Sequence, residues 1–443
     1  MSCNTNQFIW NMTKGGKLMN CLKKSFLCVS LVCILVSGAL AAEKVTLWTW
    51  YGSGLGEILR EMIKNDFTKK TGIEVDVQLV SVEDIINKLL LAYLGGEAPD
   101  IVELYSNQAV ELGIRGALTN LNTLPGIKNV TAQINSILLP AISYKSALYA
   151  LPGEVNWSWT YYRTDIFKDL GLGVPETWED IKAISLKLRA RDMDTFYYYQ
   201  GDAKEVGKLL PLVYQRKSDI YKNDGTASNL DSPENIAAFK ELVSLHNEYK
   251  LVIDDPAFYT FSIGQTPLQI LQNWYYAGFE VTAPHITGKW DITYFPGTKQ
   301  KDGSLDRTNT GKMLVWSMVS STKKKEAAWK LLEWLSSTEF VTNFIQTSHK
   351  LHKNRLFFAN INALDNAPFP QEKMHIARES LATFRMQTAV IGGHVANRYI
   401  EFAFNKAVVE KADPETVIKQ AAKESTDEIQ RKLKEFDKYI KDL

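Results

Sequence analysis

The order of periodicities between residues 44 and 104 constrains this chain more than any other feature. Lys44-Val45-Thr46-Leu47-Trp48-Thr49-Trp50 is rich in β-branched and aromatic residues and runs into the turn Tyr51-Gly52-Ser53-Gly54. Apolar residues then recur near every 3.6 positions, at Leu55, Ile58, Leu59, Met62, Ile63 and Phe67, which predicts an amphipathic helix over 55–70. Gly72 closes that helix, Ile73–Val80 alternates as a second strand, and Ser81 is an N-cap for a helix over 82–94. Beyond Gly95-Gly96-Glu97-Ala98-Pro99, the run Asp100-Ile101-Val102-Glu103-Leu104 reads as a third strand. A β-α-β-α-β order implies a largely parallel sheet covered by helices, so the fold class is α/β. Ligands of such sheets lie beyond the carboxyl ends of the strands.

The rest of the chain continues the alternation. An aromatic run spans Trp157–Tyr162, and a helix starts near Thr177 with Glu179 and Asp180 in its first turn. Another covers 233–249, with Pro233 at its first position after Ser232. Strands are expected near 268–273, 290–295 and 313–320, with helices over 325–336, about 394–410, and from Asp413 to the terminus. The chain has 443 residues, which suits two α/β domains of roughly 150–200 residues, each with its own core.

The amino terminus follows a different logic. Lys23 and Lys24 precede the apolar run Phe26–Val36, then Ser37-Gly38-Ala39-Leu40-Ala41-Ala42 precedes Glu43. That is the order of a secretory signal peptide covering residues 1–42; Met19 is an alternative start that would make 1–18 an extension. The apolar run is short of the ~20 residues that span a bilayer. All four cysteines (Cys3, Cys21, Cys28 and Cys33) lie inside this segment, so residues 43–443 contain no thiol chemistry and no disulfide. Residues 1–42 hold four lysines and no acids, which leaves 47 basic and 50 acidic residues, a net charge near −3. Such a balance argues against a polyanion partner, so no nucleic acid is expected.

Catalytic and metal signatures are weak. The six histidines are scattered, and His349 and His352 lack an HExxH context. No metal and no cofactor are expected. Gly52-Ser53-Gly54-Leu55-Gly56 lacks the Lys-Ser/Thr of a phosphate loop, and Asp254-Asp255 before Pro256 reads as a turn. The tyrosine runs Tyr161-Tyr162, Tyr197–Tyr199 and Tyr275-Tyr276 read as strand packing.

Five segments, in this order, carry a resemblance: VTLWTWYGSGLGE at the start; GEAPDIVELYSNQAVELGIRGALTNLN at 96–122; ALYALPGEVNWSWTYYRTDIFKDLGLGVPETWEDI at 147–181; KMLVWSMVSSTKKKEAAWKLLEWLSS at 312–337; and ADPETVIKQAAKE at 412–424. Together they resemble the extracellular solute-binding proteins of carbohydrate-uptake ABC transporters, the group that contains maltose-binding protein. Trp274-Tyr275-Tyr276 departs from the family's Gly-Pro-Trp, and Arg163 stands where Asn often follows the Tyr.

The resemblance implies a type II periplasmic-binding-protein fold: two α/β lobes, a hinge and a ligand cleft between them. Residues 43–153 plus about 308–370 would form one lobe, and 154–307 plus about 371–443 the other. It implies an exported, periplasmic or extracellular, non-catalytic and monomeric protein that hands a sugar or oligosaccharide to the membrane permease of an ABC importer. The alternatives are a non-sugar solute, such as a polyol phosphate or polyamine, and a secreted carbohydrate-active enzyme. The last would need paired carboxylates about 5–10 Å apart.

Sugars present apolar C–H faces and hydroxyl rims, so candidates are aromatic or amide residues at strand ends. Trp50 and Tyr51 follow the first strand, and Tyr105, Asn107 and Gln108 the third. Asn156 and Trp157 mark the crossover; Trp274 and Tyr275 end a second-lobe strand; Trp316 lies in a returning strand; His394 and Arg398 open a late helix. By the resemblance, Asn107 and Gln108 match polar ligand contacts, Asn156 a sugar-binding carboxylate, and Trp274 or Tyr275 a stacking tryptophan. Of Trp48 and Trp50, one is expected in the core and Trp50 in the cleft. Trp178, Trp329 and Trp334 are expected to pack.

Overall fold

The computed structural model describes residues 44–440 except Ser53, Val82, Glu83, Gly201 and Asp202, with side chains up to Asp437. The signal peptide expected over residues 1–42 lies outside the described residues.

Strand β1 (Lys44–Thr49) leads into helix α1 (Leu55–Met62), which runs on without a break through a π-helical stretch (Ile63–Thr68) to Thr71. Strand β2 (Glu74–Leu79), helix α2 (Ile85–Gly95), strand β3 (Ile101–Tyr105) and helix α3 (Ser106–Ile114) follow. The long strand β4 (Leu151–Tyr162) crosses into the second half. There the chain forms α4 (Trp178–Arg189), β5 (Thr195–Tyr197), α5 (Lys204–Tyr214), α6 (Pro233–Asn247), α7 (Ala257–Ile263), β6 (Leu268–Gln272), α8 (Tyr275–Thr282) and β7 (Asp291–Thr293). Strand β8 (Gly311–Met318) returns, followed by α9 (Lys325–Ser336), α10 (Thr338–His352), α11 (Met374–Ala382), α12 (Gly393–Val408) and α13 (Pro414–Ile440).

Of the two N-caps anticipated from sequence, Ser232 is in place, whereas α2 starts at Ile85 with Asp84, not Ser81, at its cap position and no side-chain cap bond; Thr177 adds a cap of its own. Thr177 Oγ1 accepts from the Asp180 amide and Asp180 Oδ2 accepts from the Thr177 amide, closing a reciprocal cap on α4. Ser232 Oγ accepts from the Asn235 amide, with Pro233 opening α6.

The sheet runs β2-β1-β3-β8-β4-β6-β5, with β7 added on β4. β2, β1 and β3 are mutually parallel, as are β5 and β6, while β8 and β4 run antiparallel between the two groups. The first part of β4 pairs with β8 and its last part with β6 and β7, so one strand joins both halves of the sheet. Asp100, the acid of the Pro-Asp motif, ties the first group together. It accepts from the Thr46 amide at 2.8 Å and from Lys324 Nζ at 3.0 Å, and its carbonyl accepts from Val319 N.

Two apolar cores form. One lies around β1, β3, β4, β8 and α9–α10, and extends through Trp157, Trp159 and Tyr161 to Phe279 and Tyr276. The other holds α4, α5, α6, α12 and α13. The first core thus continues across the crossover strand, because the second half of β4 presents Trp157, Trp159 and Tyr161 to it.

Arg163, which departs from the family pattern, has a clear structural role. It is 7% exposed; it grips Asp165 Oδ2 at 2.6 Å and donates through Nη1 to the carbonyls of Phe261 and Ser262 at 3.0 Å. It therefore fastens the end of β4 to the end of α7. Replacing Arg163 with Met should orphan these acceptors and cost about 2–3 kcal/mol. Urea unfolding followed by circular dichroism reads this; an unchanged midpoint would refute it.

Candidate functional site

The two groups of parallel strands end facing one another. β1 ends at Thr49 and β3 at Tyr105, where Tyr105 lies opposite Leu314 of β8. β5 and β6 end at Tyr197 and Gln272, and Gln272 lies opposite Ser158 of β4. Between the two ends, Gly311 pairs with Trp157 and Lys312 with Asn156. Any Cβ at Gly311 would collide with the Asn156 carbonyl, so the strands approach this closely only because the residue is glycine.

This junction opens into a cavity lined by Tyr105, Asn107, Tyr199, Lys312, Gln387 and His394, among others. The ammonium of Lys312 lies 4.8 Å from the Tyr105 ring centroid and 5.8 Å from that of Tyr199. Tyr199 donates its hydroxyl to the Gly311 carbonyl at 2.7 Å, and its ring lies flat on Gly207, where a Cβ would strike it. Asn107 Nδ2 lies 3.4 Å from His394 Nδ1, joining the start of α3 to the start of α12. Gln387 Nε2 donates to the Tyr221 hydroxyl and to Asn397 Oδ1. The cavity is about 50 Å³, room for a few waters, whereas small-molecule sites run ~300–1,000 Å³. As it stands, this cavity is too small for a ligand of that size. Across the segment 384–388 lies a second cavity of about 400 Å³, lined by Ile137, Pro140, Thr308, Phe384 and Arg385.

Tyr105, Asn107 and His394 are brought together in the cleft. Trp274 is half-buried at the end of β6, its ring 3.9 Å from Tyr275 and its indole N–H donating to Gln272 Oε1 at 3.2 Å. Tyr275 is buried against Phe258 and Tyr198.

Other expected residues are placed differently. Trp48 and Trp50, two residues apart, share a face of β1, because strand side chains alternate. Both are half-buried, and the core face is Val45, Leu47 and Thr49. Tyr51 is buried, donating to Glu154 Oε2 at 3.3 Å. Gln108 turns back to accept from the Tyr105 amide at 3.0 Å, so it caps α3 instead of facing the cleft. Trp157 has no exposed surface; Trp159, Phe357 and Phe384 surround it, which makes it core instead of platform. Trp316 is likewise buried, edge-on to Tyr51. Arg398 points along the outside of α12 to Tyr399 Oη and Glu428, while its neighbour Asn397 lines the cleft.

Beneath the end of β1 lies a pair of buried carboxyls. Glu103 Oε2 accepts from Thr49 Oγ1 at 2.6 Å and from the Trp50 amide at 3.2 Å. Glu154 accepts from Tyr51 and from Asn156 Nδ2 at 3.0 Å. Burial pushes Glu103 up to about 8, and the charge of Glu154 adds to the shift; Glu154 is also raised by burial.

Residues 62–351 match the bacterial extracellular solute-binding protein family. The chain belongs to that family. A binding protein of Brucella abortus (strain 2308) is 23% identical over 333 residues, covering 72% of this chain and 78% of the relative. The sugar-binding protein of Xanthomonas citri superposes with a TM-score of 0.76 at 16% identity, covering 89% of this chain and 99% of that one. A solute-binding protein of Thermotoga lettingae, bound with α-D-tagatose, gives 0.71 at 21% identity, covering 87% and 100%. The fold is therefore the two-lobed one of these binding proteins. Among the described residues no helix is long and apolar enough to cross a membrane.

As a member of a solute-binding family, the chain draws its cleft from residues distant in sequence. Lys312, Gln387 and Asn397 carry no ligand-site signal in the sequence, and Tyr199 reads there only as part of a packing run, Tyr197–Tyr199. Lys312 opens β8 without an aromatic or glycine signal of its own, and only the pairing with Asn156 brings it to the junction.

Proposed function

We propose that this solute-binding protein captures a sugar or oligosaccharide between its lobes and delivers it, as a monomer without catalysis, to the permease of an ABC importer. The observation that carries this reading is the meeting of two sets of strand ends at one junction bordered by Tyr105, Asn107, Tyr199, Lys312 and His394. Aromatic faces for C–H surfaces stand there beside amide and imidazole groups that donate and accept. The sugar-binding protein of X. citri and the tagatose complex share the fold. The lobes divide as 43–153 plus about 308–370 and 154–307 plus about 371–443; the return of β8 to β3 and the second core around α12 and α13 support that division. Export through cleavage near Ala42 completes the reading.

The test is thermal melting and tryptophan fluorescence of residues 43–443 against a panel of neutral and acidic oligosaccharides, polyol phosphates and polyamines. A rise in melting temperature with at least one saccharide is expected; no response to any of them would overturn the sugar assignment. Lys312 in the cleft wall favours a second reading, an anionic polyol or sugar phosphate, which the same panel separates. Trp274→Ala removes the half-buried ring at the end of β6. It is expected to weaken binding of the responding saccharide about ten-fold, near 1.4 kcal/mol. Equal affinity in isothermal titration would place the stacking surface elsewhere.

A further inference from the structure

Helix α13 belongs to the second core through Ile418, Ala421, Ala422 and Ile429. Its end leaves that core. Phe436 is 2% exposed and packs within the first core instead. Arg115, just past the end of α3, lays its guanidinium 4.8 Å from the Phe436 ring centroid and holds Glu111 Oε1 at 2.6 Å. Val110, Ile114, Ile391 and Phe436 border a gap of only about 40 Å³ that continues to Asn107 and His394. The second half thus clasps α3 twice. α12 meets its first turn through His394, and α13 meets its end through Phe436.

We propose that Phe436 and Arg115 form a latch outside the ligand site that stabilises the closed arrangement of the lobes and so sets ligand affinity. This rests on the clamp reading above. The physical reason is differential contact: a packed ring and its stacked guanidinium are satisfied when the lobes are together and separate when they part. Apparent affinity scales with the fraction of molecules in the binding-competent form, so a residue that touches no ligand changes binding through that fraction. Both are positioning residues, because they act through α3 and its Asn107.

The experiment uses the absence of cysteine after residue 42. Spin labels on Lys128→Cys and Lys187→Cys, both exposed and one on each half, report the inter-lobe distance by pulsed electron resonance without any ligand. In the otherwise wild-type chain a single short distance should dominate. Phe436→Ala is expected to raise the longer-distance fraction at least about three-fold, Arg115→Met to move it in the same direction, and Phe436→Leu to restore most of the short population. Melting temperature guards against general unfolding, and Arg115→Met keeps the question open to measurement if Phe436→Ala frays the helix. Distance distributions that match in all variants overturn the latch. Failure of the sugar reading is seen separately, as a wild-type chain whose melting no saccharide shifts.

Discussion

Trp157→Ala should unfold this protein far more readily than it alters what the protein binds, with a loss of about 3–5 kcal/mol. Trp157 has no exposed surface and is enclosed by Trp159 at 6.1 Å, Phe357 at 5.0 Å and Phe384 at 6.3 Å between ring centroids. Removing the indole leaves a cavity in the one strand shared by both halves of the sheet, where neighbours cannot collapse without moving β8 or β6. Trp157→Phe keeps part of the volume and should cost clearly less. Urea midpoints of the two variants check the ranking. A Trp157→Ala protein of normal stability with lost ligand affinity would return this residue to the cleft.

Glu103→Gln should flatten the dependence of stability on pH. The folded-state carboxyl titrates near 8, raised chiefly by burial, against an ordinary value of 4.5. Below pH 4.5 both folded and unfolded chains hold the proton, and the group contributes no penalty. Between 4.5 and 8 the folded state keeps a proton that the unfolded state has released, so stability falls as pH rises through that window. Above 8 the full cost is reached, on the order of 4–5 kcal/mol from the width of the window. The glutamine amide oxygen can still accept from Thr49 Oγ1 and the Trp50 amide, so the hydrogen bonds survive. The variant and the wild type should melt together near pH 5, and the variant should melt higher by pH 9. Parallel melting curves across that range would refute the assignment. Glu154, also raised by burial, leaves a residual slope in the same direction.

These two expectations show where sequence reading reached and where it stopped. A 3.6-residue period and a two-residue alternation are local properties, so they located β1, α1, β3, α4, α6 and α9 to within a few residues. The cap at Ser232 is legible for the same reason, since donor and acceptor lie three residues apart. Alternation also places Trp157 and Trp159 on one face of β4. It does not say what covers that face. The cover comes from Phe357, Phe369 and Phe384, about 200 residues further along the chain.

The site divides in the same way. That the candidate site should lie at the strand ends after Thr49 and Tyr105 is an expectation of the βαβ order alone. Gln108 fits a ligand contact by type and position, but its side chain accepts from the Tyr105 amide at the start of α3, a local cap that sequence spacing alone does not choose.

By itself, the sequence determined the α/β class, the family and the elements with a clear local period, because each is written in neighbours a few positions apart or in motifs whose order survives; α5, α7, α8, α10 and α11 emerge only in the structure. Only the tertiary structure decided which rings face the cleft and which fill the core. It also decided that Lys312 and Asn156 share one junction and that Phe436 closes on the end of α3. The reason is that side-chain burial depends on strand register and on partners far away in the chain, which no local pattern encodes.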